Sequence, residues 1–169
     1  NHQSNGRSDP LSRSWNRLMF NIGLDRDDWA LMIRPWVRIS DGNDDDNPAI
    51  EDYIGRGDAT LTHVRGRHEY SLMARHSLRG GDRSHGALQF DWGFPVHRTL
   101  PMRGHLQLFH GYGESLIDYN HKASYIGLGI PDIVRSFQEP MAPWDFLGKM
   151  AFTVVSLSTG FKGGEVTPL

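Results

Sequence analysis

What most constrains this chain is the period of two in its apolar residues. From Asn16 onward Leu18, Phe20, Ile22 and Leu24 recur at every second position, with Arg17 and Asn21 between them. Trp29, Leu31, Ile33, Val37 and Ile39 share one face of the next run, and Arg34, Trp36 and Arg38 take the other. Leu88, Phe90, Trp92 and Phe94 alternate with Gln89 and Asp91, Leu106 and Leu108 with His105 and Gln107, and Ile126, Leu128 and Ile130 with Gly127 and Gly129. Successive side chains of a strand leave opposite faces, so the pattern predicts strands that are apolar on one side only. Runs near 53–64 and 68–78 are weaker, although Arg56, Asp58, Thr60 and Thr62 again share a face. Helical spacing is poor almost everywhere before residue 133.

Polar breaks separate these runs, and short ones alternate with long ones. Residues 25–28, 66–67 and 96–101 are short; residues 5–13, 41–52, 78–85 and 113–120 are long. A meander with tight turns at one end and long loops at the other is the plan of an outer-membrane barrel. About eight strands are expected, counting a stub at residues 1–4. Strands of about ten residues suit a tilted membrane crossing. Arg, Asp, Glu and Gln in mid-strand suit a polar barrel interior. A soluble antiparallel barrel or sandwich would show the same alternation with its apolar face turned inward. Trp15, Trp29, Trp36, Trp92 and Tyr112 fall mostly near run ends, as interfacial girdles do, and core packing explains them almost as well.

No run of residues approaches the 18 consecutive apolar residues of a membrane helix. A mean hydropathy of −0.50 does not separate a membrane barrel from a soluble protein, because alternation averages out. The formal net charge of −2 over 169 residues gives no basic field for nucleic acid. There is no cysteine, hence no disulfide framework and no thiolate chemistry. From about residue 133 the alternation stops and Pro140, Pro143 and Pro168 punctuate the chain. Residues 146–157 read as a short helix or an extra strand. The expected division is a barrel portion, 1–132, and a tail, 133–169. The chain starts inside a motif and without Met, which reads as a piece of something longer.

The chemistry is concentrated at the start. His2 and Ser4 lie two residues apart, so on a strand both leave one face, with Cα atoms about 6.5–7 Å apart. Asn16 stands on the apolar face of the following strand and reaches His2 if the two strands form a hairpin. A serine becomes a nucleophile beside a base, and the base needs a third group to fix its tautomer. His-x-Ser alone is a common surface pair. Residues 41–52 read first as a solvated acidic loop, and residues 113–120 as a turn.

The longer string Asn1-His2-Gln3-Ser4-Asn5-Gly6-Arg7-Ser8-Asp9-Pro10-Leu11-Ser12-Arg13-Ser14-Trp15-Asn16-Arg17 resembles the active-site region of the outer-membrane phospholipase A family. The resemblance continues at Asp45-Asp46-Asn47-Pro48 and over residues 111–120, from Gly111 to Asn120, in the family's order. It implies an all-β antiparallel transmembrane barrel of the outer-membrane type. About eight of the family's twelve strands are present, followed by an unmatched tail. It also implies calcium-dependent hydrolysis of phospholipid acyl esters by a homodimer. The site would lie on the lipid-facing exterior, at the outer-leaflet side of the outer membrane of a Gram-negative bacterium. Phospholipids and lysophospholipids would be the molecules it meets. By position, Ser4 is the nucleophile, His2 the base, Asn16 the orienting group and Gly6 the oxyanion-hole amide. Arg7 (carbonyl) and Ser12 (hydroxyl) match calcium ligands, completed in the family by a residue of the partner subunit. Asp9 and Asp46 match carboxylates of a second calcium position.

Two other readings remain open at this point. One is a barrel piece that keeps the motif without acting, because about eight strands leave open edges. The other is a porin-like barrel, which gives His2, Ser4 and Asn16 no reason to share a lipid-facing site.

Overall fold

The computed structural model describes residues 1–7, 10–40, 42, 45, 47–97 and 103–129. The tail expected at 133–169 lies outside them, as does its proposed element at 146–157. The described strands are β1 (His2–Ser4), β2 (Ser14–Met19), β3 (Ile22–Arg26), β4 (Trp29–Ile39), β5 (Gly57–Arg65), β6 (His68–His76), β7 (Gly86–Pro95), β8 (Arg103–Tyr112) and β9 (Lys122–Gly129). All pair antiparallel in one sheet, ordered β1-β2-β4-β5-β6-β7-β8-β9, with β3 also on β4. Among the described residues β1 and β9 stand at the two ends of this order.

β2 and β3 are one ribbon lying along β4: Met19 faces Trp36, and Ile22 faces Ile33. The ribbon is interrupted opposite Pro35. Phe20 N–H donates to the Pro35 carbonyl at 2.9 Å, but proline has no N–H to return. Counted as ladders the sheet therefore has eight strands, the number the alternation predicts.

Register carries the alternation across the whole sheet. On the outer face Leu31 opposes Leu61, Leu61 opposes Leu72, Leu72 opposes Phe90, Phe90 opposes Leu108 and Leu108 opposes Ile126. Leu18, Phe20, Ile22, Leu24, Val37 and Ile39 continue this apolar surface, and all are exposed. The inner face is polar and cross-linked. Arg34 holds Asp58 through two bonds of 2.8 and 3.0 Å. Asp91 accepts from Gln89 and Gln107 at 2.8 and 2.9 Å and pairs with His105 at 3.1 Å. An apolar exterior around a polar interior is the inverse of a soluble barrel and the arrangement of a membrane wall. It predicts that Leu61→Arg in the intact protein lowers folded stability in a bilayer by about 2–4 kcal/mol, whereas the inward neighbour change Thr60→Arg costs far less. Urea titration of both variants in lipid checks this; equal losses contradict the register.

The aromatic residues divide between the two faces. Trp29 and Trp92 lie on the outer face near the short-turn rim, where Trp29 stacks on His63 at 4.0 Å and Trp92 lies 6.1 Å from Tyr70. Trp15 and Trp36 are not part of a girdle. They are buried on the inner face with Ile50, Ile54 and Tyr119. Tyr112 packs with Tyr53 and His85 beneath the long loops.

One expectation is corrected. The weak run near 53–64 begins as a strand only at Gly57, because Ile50–Tyr53 form a helical turn, α1. Ile50 and Ile54, four residues apart, are both buried, so the short helix folds its apolar side onto Trp15 and Trp36. Gly55 ends it at φ +92°, where a Cβ would come within 2.5 Å of the His76 carbonyl oxygen. Its own carbonyl accepts from Trp36 Nε1 at 2.8 Å. Residues 113–120 form a turn, as read, with Gly113 N–H donating to the Tyr119 carbonyl at 3.1 Å.

Candidate active site

β1 and β2 bring the predicted residues together. His2 opposes Asn16 and Ser4 opposes Ser14. Arg17 N–H bonds the Asn1 carbonyl and Asn5 N–H bonds the Arg13 carbonyl, so 1/17 and 5/13 are hydrogen-bonded pairs. The intervening pairs 2/16 and 4/14 are then the non-hydrogen-bonded type, whose side chains stand closest. His2 Nδ1 lies 3.0 Å from Asn16 Oδ1. With Nδ1–H donating to that oxygen, Nε2 is left as the basic nitrogen. Ser4 shares the face of His2, and both are exposed on the outer surface beside Leu18, Val37 and Ile39.

The register is locked from the other side of the sheet. Gln3, between His2 and Ser4, points inward, and its Oε1 accepts from Trp15 Nε1 at 3.1 Å and Arg17 Nη2 at 2.7 Å. The Arg17 guanidinium lies over the Trp15 ring at 4.0 Å and 5.1 Å from the Trp36 ring. Trp15 meets Trp36 edge-on at 6.3 Å. A slip of β1 by one residue would turn Gln3 out to the apolar surface and His2 and Ser4 in.

Beyond Ile39, β4 no longer accompanies β2. The Ser14 N–H, directed to the side β4 has left, donates instead to Asn47 Oδ1 at 3.1 Å. Asn47 is fully buried, and its own N–H donates to Asp45, which pairs with Arg38. Burial pushes the Tyr119 hydroxyl above its usual range, with Tyr53 and Asp45 adding to the effect and Arg13 and Arg38 opposing it.

Gly6 sits at φ +65°, two residues past Ser4, and its N–H has no acceptor among the described residues. Arg7 and Ser12 lie on the same loop between β1 and β2. That loop is closed by Asn5, whose Nδ2 donates to the Leu11 carbonyl at 2.7 Å and whose Oδ1 accepts from Arg7 and Arg13 at 3.3 and 3.0 Å. A carbonyl and a hydroxyl are hard oxygen donors of the type calcium takes, so the residues present fit that ion chemically. Asp9 and Asp46 lie outside the described residues. Among the described residues no three His, Cys, Asp or Glu side chains come together.

Sequence reasoning missed Gln3, Asn5 and Asn47. All three make side-chain bonds, to residues 2 to 33 positions away, and the only signal they gave was membership of the matching strings.

The phospholipase A1 family profile matches residues 1–131. A relative from Neisseria meningitidis serogroup B is 42% identical over 132 residues, 76% of this chain and 33% of its own length. Phospholipase A1 of Escherichia coli strain K12 is 37% identical over 130 residues, 77% of this chain and 43% of its own. The chain thus spans less than half the length of these relatives. Two solved structures share its fold. The outer membrane phospholipase A of Escherichia coli has a TM-score of 0.67 at 35% identity, covering 76% of this chain and 48% of the other. The Salmonella typhi outer membrane phospholipase, a dimer with bound calcium, has a TM-score of 0.66 at 34% identity, with the same coverages.

Proposed function

The chain belongs to the phospholipase A1 family, and we propose from this that it carries the catalytic part of a calcium-dependent phospholipase of the outer membrane. The observation that carries the proposal is the 3.0 Å bond between His2 Nδ1 and Asn16 Oδ1, on the apolar exterior and on the same face as Ser4. A hydrolase of membrane lipid gains from a site facing outward, because its substrate arrives from the lipid side rather than through the lumen. The substrates are the acyl esters of phospholipids and lysophospholipids, met at the outer-leaflet side. The acting form is a homodimer in which a residue of the second copy completes the calcium site.

In the mechanism, Ser4 Oγ attacks the ester carbonyl while His2 Nε2 takes its proton. Asn16 holds the ring so that Nε2 faces Ser4, and stabilises the protonated ring without supplying a charge. Gly6 N–H donates to the developing oxyanion. Bound by the Arg7 carbonyl and the Ser12 hydroxyl, with Asp9 and Asp46 as carboxylates of a second position, calcium would supply positive charge near that oxyanion. His2 returns its proton to the leaving alkoxide, and a lysophospholipid departs. A water molecule, deprotonated by His2, then releases the fatty acid from Ser4.

The test is release of free fatty acid from a diacyl phospholipid in mixed micelles by the intact, folded protein with calcium. Folded protein that releases none overturns the proposal. Asn16 gives a graded check. A neutral hydrogen bond contributes about 0.5–1.5 kcal/mol, so Asn16→Ala should lower kcat about 3- to 10-fold with KM little changed.

A further inference from the structure

We propose that Asn5 is a positioning residue for the oxyanion amide, setting the direction of Gly6 N–H beside Ser4; this rests on the esterase reading of Ser4. Among the described residues nothing lies within 4 Å of where a Cβ on Gly6 would stand. The direction of its amide then depends on the bonds to either side. Those bonds come from one residue. Asn5 N–H donates to the Arg13 carbonyl at 3.0 Å, fixing the chain before Gly6. Asn5 Oδ1 accepts the Arg7 N–H at 3.3 Å, fixing the chain after it. The same carboxamide ties both points to the far arm of the loop, accepting from Arg13 N–H and donating to the Leu11 carbonyl.

The far arm is itself fixed. Arg13 is followed by Ser14 and Trp15, anchored by Asn47 and by the buried cluster. A chain of contacts therefore runs from the protein interior through the Asn5 side chain to the Gly6–Arg7 peptide, while the Asn5 backbone holds the Ser4–Asn5 peptide, and the Gly6 amide stands between these two fixed points. The position requires a side chain that accepts two N–H bonds and donates one. Aspartate accepts but does not donate while ionised. A protonated aspartic acid does both, in nearly the shape of asparagine.

Asn5→Ala should lower kcat about 10- to 100-fold, the scale of a misplaced oxyanion donor, with KM within a few-fold. A second readout does not depend on turnover. Phosphonylation of Ser4 by a fluorophosphonate, with loss of fluoride, also develops charge at an oxyanion and should slow by a similar factor. Asn5→Asp covers the case in which the alanine variant does not fold: it keeps both acceptors and loses the donor to the Leu11 carbonyl, so kcat and the labelling rate should both fall several-fold with KM little changed. The inference is overturned if Asn5→Ala, or Asn5→Asp where the alanine variant does not fold, keeps kcat and labelling rate within twofold while Ser4→Ala is inactive. Activity that survives Ser4→Ala overturns the esterase reading and this inference with it.

Discussion

Ser4→Ala should reduce phospholipid hydrolysis by at least about 10⁴-fold while leaving folding unchanged, the scale seen when a serine hydrolase loses its nucleophile. The alanine removes only an exposed hydroxyl, and β1 stays pinned by Gln3 to Trp15 and Arg17. The loss is therefore chemical. His2→Ala should cost about 10²–10⁴-fold through loss of the general base. Because the two act in one step, the double variant should be no worse than Ser4→Ala alone. Additive losses would mean that Ser4 and His2 serve separate functions. The measurement is fatty-acid release by each variant, with a urea titration beside it to confirm equal folding.

Removing calcium should lower hydrolysis by about 10²–10³-fold, the effect of losing one source of oxyanion stabilisation. In the proposed mechanism Gly6 N–H is a single donor, and calcium would be the second source of positive charge at the same oxygen. Arg7 and Ser12 stand on the Asn5-closed loop next to it. Chelation followed by calcium should restore the rate. Magnesium should restore little, because it demands tighter octahedral geometry and dehydrates reluctantly. Ser12→Ala should raise the calcium concentration needed for half activity, leaving the rate at saturation nearer to normal. Full activity in chelator would remove calcium from the mechanism.

Much of this was legible in the sequence because a strand is a local rule. Leu18, Phe20, Ile22 and Leu24 announce their face from spacing alone, and Asn16 joins them by parity. That placed Asn16 on the apolar face before any coordinates, and the register puts it on the outer face opposite His2. The limits of the local rule are equally specific. Trp36 lies between Arg34 and Arg38, so its inward face was readable, but its burial against Trp15 depends on α1 and Tyr119 arriving from distant loops. The helix itself is four residues long and shows no repeat. Ribbon β2–β3 breaks at Phe20 because of Pro35, fifteen residues on. Asn5 and Asn47 read as loop asparagines, because their partners are backbone groups that only the folded chain brings near.

In the proposed mechanism Ser4 is an activated nucleophile on the lipid-facing surface. Its most direct test is fluorophosphonate labelling of the intact protein in micelles, with the modified residue found by peptide mass spectrometry. The expected result is a single adduct on Ser4, formed much more slowly in His2→Ala. An adduct on another serine, or none in protein that still hydrolyses phospholipid, would contradict it.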